Sequence, residues 1–329
     1  MTVVTAPSLA VVMPCYDTRP EQLHIALDSA LRETTAVNAQ GVQAEIVLVD
    51  DCGPSPNTRR AIDALARTHP GVRVERLPRN GGSSAARNHG VRVTKGRWLA
   101  FLDCDDQWLP GALQRLLAAS AIDESIDWVS GSFCYQLDGQ PPSTRDFYLD
   151  HPARLRHVQL AYDEGRALVM QKPVEAFMDG SLASMGSCLI DRGLFERVGG
   201  FDERLRMGDD TELYWRLARE ATFAFLPEPV FAYRRSPNSL SGSQKVFREW
   251  EPPVIRRMLR SAGWQPHAAA LTRRLAGALE QNVYGFRKLG QRRGAMRAAA
   301  ELLALQPLSA QRWRLLLGAA FDRSPRAAV

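Results

Sequence analysis

The 329-residue chain has five cysteines, an odd number, widely spaced and with no C-x-x-C pair. That excludes a disulfide framework and a thiolate zinc site, and fits a reducing compartment. No apolar run approaches the roughly 20 residues that a membrane span needs. The N-terminal stretch lacks a basic segment followed by an apolar one, so no signal peptide is expected. The first strand-like segment is not followed by a Gly-rich, Lys/Arg-bearing loop; it runs into Pro14-Cys15-Tyr16-Asp17. No convincing internal repeat is found. Acidic residues are scarce in one place: from Pro253 to Val329 there are 14 Lys/Arg against 3 Asp/Glu, which leaves 28 against 33 before it. The net charge of +6 therefore belongs to the tail. A basic tail of this kind suits nucleic acid or an anionic membrane surface.

What is present is a run of apolar segments that end in polar residues. Leu9 to Met13 and Glu45 to Val49 read as strands buried on both faces. Val72 to Leu77 and Trp98 to Leu102 read as a third and a fourth strand. Between them lie helices: one opened by Pro20, one by Ser55 and Pro56, and one of small residues from Ser83 to His89, closed by Gly90. Strands alternating with helices at this spacing predict a parallel, doubly wound sheet, whose ligands sit beyond the carboxyl ends of the strands. At three such ends polar residues collect: Tyr16/Asp17, Asp50/Asp51 and Asp103/Asp105/Asp106.

The last cluster puts three carboxylates within four residues. Like charges this close repel, and a hard divalent cation is the natural partner for such oxygen ligands. Strand alternation would aim Asp103 and Asp105 to one side. The plainer alternative is that Asp105 and Asp106 N-cap a helix starting near Pro110. Further on, Trp128 to Phe133 and Ser187 to Ile190 read as strands, and 137–172 as a variable loop. Asp209 and Asp210 open a helix running to about Arg219, where two acids also suit the helix dipole. Beyond Lys245 come Ala/Leu/Arg helices punctuated by Pro266 and Pro307. The two segments flanking Pro307 could form a helical hairpin. Trp313 and Phe321 with Arg312, Arg314 and Arg323 fit a membrane interface, or else a helical subdomain with a solvated basic face.

Taken together, these pieces resemble a family 2, GT-A-fold inverting glycosyltransferase. The matching segments occur in the family's order: Val12-Met13-Pro14-Cys15-Tyr16, Val49-Asp50-Asp51-Cys52-Gly53, Asn80-Gly81-Gly82 to Gly90, and Phe101-Leu102-Asp103-Cys104-Asp105-Asp106. Gly199 to Glu203, Asp209 to Leu213 and Tyr233-Arg234 follow. The resemblance implies an α/β, Rossmann-like, mainly parallel sheet flanked by helices, with a C-terminal helical extension. It implies a catalytic domain over 8–241, divided near 106 into nucleotide and acceptor halves, and a basic helical region over 242–329.

The resemblance also assigns roles. Asp105 is the expected ligand of Mn²⁺ or Mg²⁺, with Asp103 near the nucleotide and Asp106 accessory. Pro14, Tyr16, Asp51 and Arg87 face the nucleotide; a salt bridge from Arg87 to Asp50 or Asp103 is the structural alternative. Asp210 is the expected general base. Asp209 stands where the family carries Glu. Trp215 is either core or an acceptor-side wall. Ser236 replaces a histidine that many relatives place near the diphosphate, which leaves Arg234 or Arg235 to supply positive charge. The implied partners are a nucleotide sugar, UDP-linked by preference, and a glycan or lipid-linked acceptor. No nucleic acid is expected. The implied location is cytoplasmic, with an anionic inner-membrane face as a further partner of the tail. A nucleotide-sugar-forming nucleotidyltransferase and a non-catalytic module of the same fold are the alternatives.

Overall fold

A computed structural model describes residues 8–235, 249–305, 307 and 309–321. The chain divides into two compact units, Met1–Ser236 and Pro237–Val329. The boundary expected near 241, and Ser236 itself, lie outside the described residues.

The first unit begins with a βα alternation: β1 (Ser8–Cys15), α1 (Pro20–Asn38), β2 (Gln43–Asp50), α2 (Pro56–Thr68), β3 (Val72–Arg76), α3 (Ser83–Val93) and β4 (Trp98–Phe101). The four strands pair in parallel, with Cys15 opposite Asp50 and Val12 opposite Phe101. Leu9 to Met13 are fully buried, as a strand covered on both faces requires. Ser55 caps α2 by accepting the Thr58 N–H at 3.3 Å.

Helix α3 continues through Gly90 and ends at Val93, so Gly90 does not close it. A Cβ at Gly90 would lie 2.4 Å from Val12 Cγ1. The residue is therefore a close approach between helix and sheet, which lets α3 lie flat against β1.

The rest of the unit consists of β5 (Gln107–Trp108), α4 (Ala112–Ser120), β6 (Trp128–Leu137), α5 (Pro152–Leu155), α6 (Gln159–Glu164), β7 (Leu168–Gln171), α7 (Val174–Asp179), β8 (Cys188–Asp191), α8 (Arg192–Arg197), α9 (Asp209–Glu220) and β9 (Thr222–Arg235). The sheet order is β3-β2-β1-β4-β8-β6-β9-β5, with β7 paired to β9. Strand β8 is antiparallel to both β4 and β6, and β6 is parallel to β9. Two reversals restore the direction, so β6 and β9 end on the same edge as β1, β2 and β4. The segment 137–172, expected as a loop, carries two short helices and β7. An aromatic core centred on Trp128 joins β6, α7, α9 and β9: ring centroids lie 4.6 Å from Phe177, 5.6 Å from Tyr214 and 4.6 Å from Phe223. Pairs of this kind contribute about 0.5–1.5 kcal/mol beyond area burial.

The second unit contains α10 (Glu251–Leu259), α11 (Ala268–Lys288), α12 (Arg292–Leu305) and α13 (Ala310–Phe321). Buried Leu271, Leu275, Leu279, Val283 and Leu302 form its core. Ion pairs Arg274–Glu251 and Arg256–Glu301 tie α10 to α11 and α12. Helices α12 and α13 form a hairpin, with Arg312 Nη1 donating to the Leu302 carbonyl at 2.9 Å. Among the described residues no helix is long and apolar enough to cross a membrane.

Candidate active site

Strand β4 ends at Phe101, so Asp103, Asp105 and Asp106 sit in a turn rather than on an alternating strand. The turn is closed by the Asp106 N–H donating to the Asp103 carbonyl at 3.0 Å. Neither Asp105 nor Asp106 caps α4. That helix starts at Ala112 after Gly111, and its first N–H groups donate to a buried carboxylate from α1: Glu33 accepts from Gly111 at 3.1 Å and from Leu113 at 3.2 Å. Asp106 instead accepts the Arg234 N–H at 2.7 Å and is buried, which locks the turn to the end of β9. Burial, then the charges of Asp105 and Asp103, push the Asp106 carboxyl well above its ordinary range. Asp105 is exposed as a residue, yet its carboxyl is crowded by protein on its inner side and faces Asp103. Those two causes, in that order, lift it to about 6.

Arg87, on α3 and 5 % exposed, connects this turn to the second acidic pair. Its Nη2 meets Asp103 Oδ1 at 2.6 Å and its Nη1 meets Asp209 Oδ2 at 3.2 Å. Of the two partners foreseen for its salt bridge, Asp103 is the one found; Asp50 is 3.6 Å from Arg76 instead. Asp209 Oδ2 also accepts the Ser83 hydroxyl at 3.0 Å and the Ser84 hydroxyl at 2.9 Å. The Ser83-Ser84 pair was not singled out in the sequence, although it directly follows the double glycine that was.

Helix α9 presents Asp209 and Asp210 in its first turn. Its orientation is fixed from behind by the Trp128 cluster and by buried Trp215, whose Nε1 donates to the Phe177 carbonyl at 3.3 Å. Trp215 is fully buried, which makes it core and not a wall. Asp210 is half-buried, and the Thr211 N–H donates to its Oδ1 at 2.6 Å. A helix N-terminus would favour the anion. Burial and the adjacent Asp209 charge outweigh it, and the Asp210 carboxyl rises to about 6.

The expected nucleotide residues surround the ends of β1 and β2. Pro14 lies within β1 opposite Val49. Tyr16 is 50 % exposed just beyond that strand, with its ring available for stacking. Asp51 is buried and accepts the Gly81 and Gly82 N–H groups at 2.7 and 2.8 Å, so its carboxylate shapes the double-glycine turn. Gly82 has φ +87°, a conformation that excludes a side chain without strain. Arg234 is buried at the end of β9, with Nε donating to the Asp105 carbonyl at 2.8 Å.

Among the described residues no three His, Cys, Asp or Glu side chains converge into a metal cage. Asp105 offers carboxylate oxygens, and Asp103 is engaged by Arg87. This set fits a hard cation held by one or two carboxylates that brings further oxygen ligands with it, as Mg²⁺ and Mn²⁺ do with phosphates.

Residues 10–161 match the model of the family described as glycosyl transferase family 2. The succinoglycan biosynthesis protein ExoO of Rhizobium meliloti is 33% identical over 213 residues, which cover 62% of this chain and 53% of that protein. The chain spans 53% of the length of ExoO and 63% of that of the uncharacterized glycosyltransferase EpsJ of Bacillus subtilis. Among solved structures, S. aureus TarS 1-349 in complex with UDP-GlcNAc superposes with a TM-score of 0.63 at 16% identity, covering 95% of this chain and 87% of that one. Mannosyltransferase PcManGT from Pyrobaculum calidifontis, in complex with GDP-Man and Mn²⁺, gives 0.60 at 18% identity, covering 96% and 85%. These likenesses show the fold, which is GT-A.

Proposed function

We propose, from the match of residues 10–161 to the glycosyl transferase family 2 model, that the chain moves a sugar from a nucleotide-sugar donor to a hydroxyl of a glycan or lipid-linked acceptor, with inversion. The observation that carries this reading is the division of labour imposed by Arg87. One guanidinium engages one member of each acidic pair, Asp103 and Asp209. It leaves Asp105 and Asp210, both raised to about 6, as the groups free to act.

In this mechanism Asp210 accepts the proton of the acceptor hydroxyl, whose oxygen then attacks the anomeric carbon from the face opposite the leaving diphosphate. A base raised to about 6 is ionised at neutral pH and still has useful proton affinity. One displacement inverts the anomeric centre. Asp105 would hold the divalent cation, Mn²⁺ or Mg²⁺, which when bound supplies Lewis-acid stabilisation to the diphosphate. Asp103, Asp51, Pro14 and Tyr16 line the nucleotide's place, and Tyr16 can stack on a base. Arg234 is buried beside the Asp105 carbonyl and supplies fixed positive charge. Relatives support the classes of partner: ExoO is named for succinoglycan biosynthesis, and the solved neighbours hold UDP-GlcNAc or GDP-Man with Mn²⁺. We take the donor as UDP-linked.

For the second unit the proposed partner is an anionic membrane surface at the cytoplasmic face. Exposed Trp313 and Leu317 lie four residues apart on one side of α13, next to exposed Arg314.

The deciding experiment screens UDP-, GDP- and dTDP-sugars for transfer or donor hydrolysis with Mn²⁺. Turnover with one donor class, abolished by Asp210→Asn while nucleotide binding persists, supports the reading. Full transfer by Asp210→Asn would remove Asp210 as the base.

A further inference from the structure

A third charged cluster lies on the same sheet edge, where Arg19 and Asp138, neither of them assigned a role above, join Arg234. Arg19, in the turn after β1, places Nη2 2.5 Å from Asp138 Oδ2. Arg234, at the end of β9, places Nη1 3.6 Å from the other oxygen, Oδ1. One carboxylate is thus held between two guanidinium groups from opposite sides of the edge, one of them fixed to the Asp105 carbonyl. We propose that Arg19 and Arg234 form a two-arginine clamp for the phosphate groups of the donor, and that Asp138 occupies this clamp as an internal anion which the donor displaces.

The two arginines are unequal, and the inequality carries the inference. Arg19 is more than half exposed, so its pair with Asp138 is by itself an ordinary surface contact. Arg234 is 5 % exposed, and its burial needs compensation. Asp105 and Asp106 lend it negative charge, but its hydrogen bonding is incomplete. Its distance to Asp138 is well beyond the roughly 2.7–2.9 Å of a charge-assisted hydrogen bond. Its Nη2 is buried with no hydrogen-bond partner. A buried guanidinium with an unused nitrogen, beside the candidate cation ligand, is a site built for an anion larger and more highly charged than one carboxylate. Phosphate oxygens meet that description, and the planar fork of arginine matches them in pairs.

Asp138 is suited to leave. It is part-exposed, in a turn of exposed residues after β6 where Gly139 adopts φ +74°. The base of the turn is held separately: Gln136 donates to the Gln140 carbonyl at 2.7 Å and accepts from Gln107 at 2.8 Å. The Asp138 side chain can therefore swing out without unfolding its support. While it stays, it screens Arg234 from stray anions; a donor must out-compete it, which favours diphosphates over singly charged ions.

This inference rests on the reading of the edge as the donor's phosphate site, so the test separates the two. The full chain is titrated calorimetrically with inorganic pyrophosphate and with UDP, in buffer containing EDTA, as wild type, Asp138→Asn, Arg19→Gln and the double variant. Removing the internal competitor should tighten pyrophosphate binding about 5- to 10-fold in Asp138→Asn, and Arg19→Gln should weaken it by a similar factor, about 1 kcal/mol each way. The double variant should lose the gain. A pyrophosphate response with no UDP binding would keep the clamp and remove the nucleotide. Pyrophosphate binding that is unchanged or weaker in Asp138→Asn, at wild-type melting temperature, overturns the clamp and leaves the transferase reading standing. Both substituted residues are on the surface; should Asp138→Asn fail to fold, Arg19→Gln alone decides by whether pyrophosphate binding weakens.

Discussion

The turn after β4 and the first turn of α9 carry the same chemistry in opposite settings. Each contributes one carboxylate to Arg87 and keeps one clear of it; the third acid of the β4 turn, Asp106, is tied to the Arg234 N–H. In the β4 turn the retained group, Asp105, is on an exposed residue, where a cation and phosphates can reach it. On α9 the retained group, Asp210, is half-buried against an aromatic core, at a helix N-terminus that ought to lower its pKa. Both nevertheless reach about 6, each through burial first and its own acidic neighbour second. The lesson is that an acidic doublet is not a unit. One arginine divides it into a member that it holds and a member that it does not, and which one is left is set by what the other is tied to.

Several substitutions break this symmetry. The largest effect is expected for Asp210→Asn: turnover falls about 10²–10⁴-fold, the usual contribution of a general base, while nucleotide affinity stays near wild type. Asp105→Asn should show the reverse split, with nucleotide affinity in Mn²⁺ collapsing toward its metal-free value; calorimetry with and without EDTA reads this directly. Next comes Arg87→Met, which strands two carboxylates at once. Breaking a buried pair costs about 3–5 kcal/mol, read by urea unfolding, and the acid limb of the rate profile should move above that of wild type, because the Arg87 charge holds Asp210 down. An unmoved limb in a folded Arg87→Met protein would show that Arg87 does not tune the base.

The pH profile itself is a smaller test. Wild-type activity should fall as pH drops through about 6, where Asp210 takes up its proton. Stability should run the other way. A carboxyl whose pKa is raised by folding holds its proton more tightly in the folded chain. The stability it contributes is complete below the unfolded value near 4 and is lost as pH rises through about 6. Melting temperatures from pH 4 to 7 check the sign, and Asp210→Asn should flatten the trend. The smallest expected effect is Asp209→Asn, which removes the neighbouring charge and moves the acid limb to lower pH than in wild type.

Much of the fold was legible because periodicity and punctuation agree. Continuous apolar runs marked β1, β2 and β4, and Ser55 and Pro56 marked the start of α2. The failures have physical reasons. Gly90 reads as a stop signal, yet its missing side chain serves a contact with Val12 that only the packed helix creates. Asp106 reads as a cap, yet the N-terminus of α4 is satisfied by Glu33, 78 positions away from Gly111 in sequence. The strand pattern inside 137–172 was masked by short elements, since the four residues of β7 are too few to show alternation.

For the candidate site, the residue types and their order along the chain were enough to nominate Asp103, Asp105, Asp209, Asp210, Arg87 and Arg234. By itself the sequence determined that a parallel βα alternation would deliver acidic residues to one edge, because apolar strands must be buried and their polar ends cannot be. Only the tertiary structure decided which acids pair and which remain. That depends on where one guanidinium on α3 can reach, on the two reversals through β8 that bring Arg234 and Asp138 to the same edge, and on how deeply each carboxyl is enclosed. Distances and burial between segments more than a hundred residues apart are set by packing, and local sequence carries no record of them.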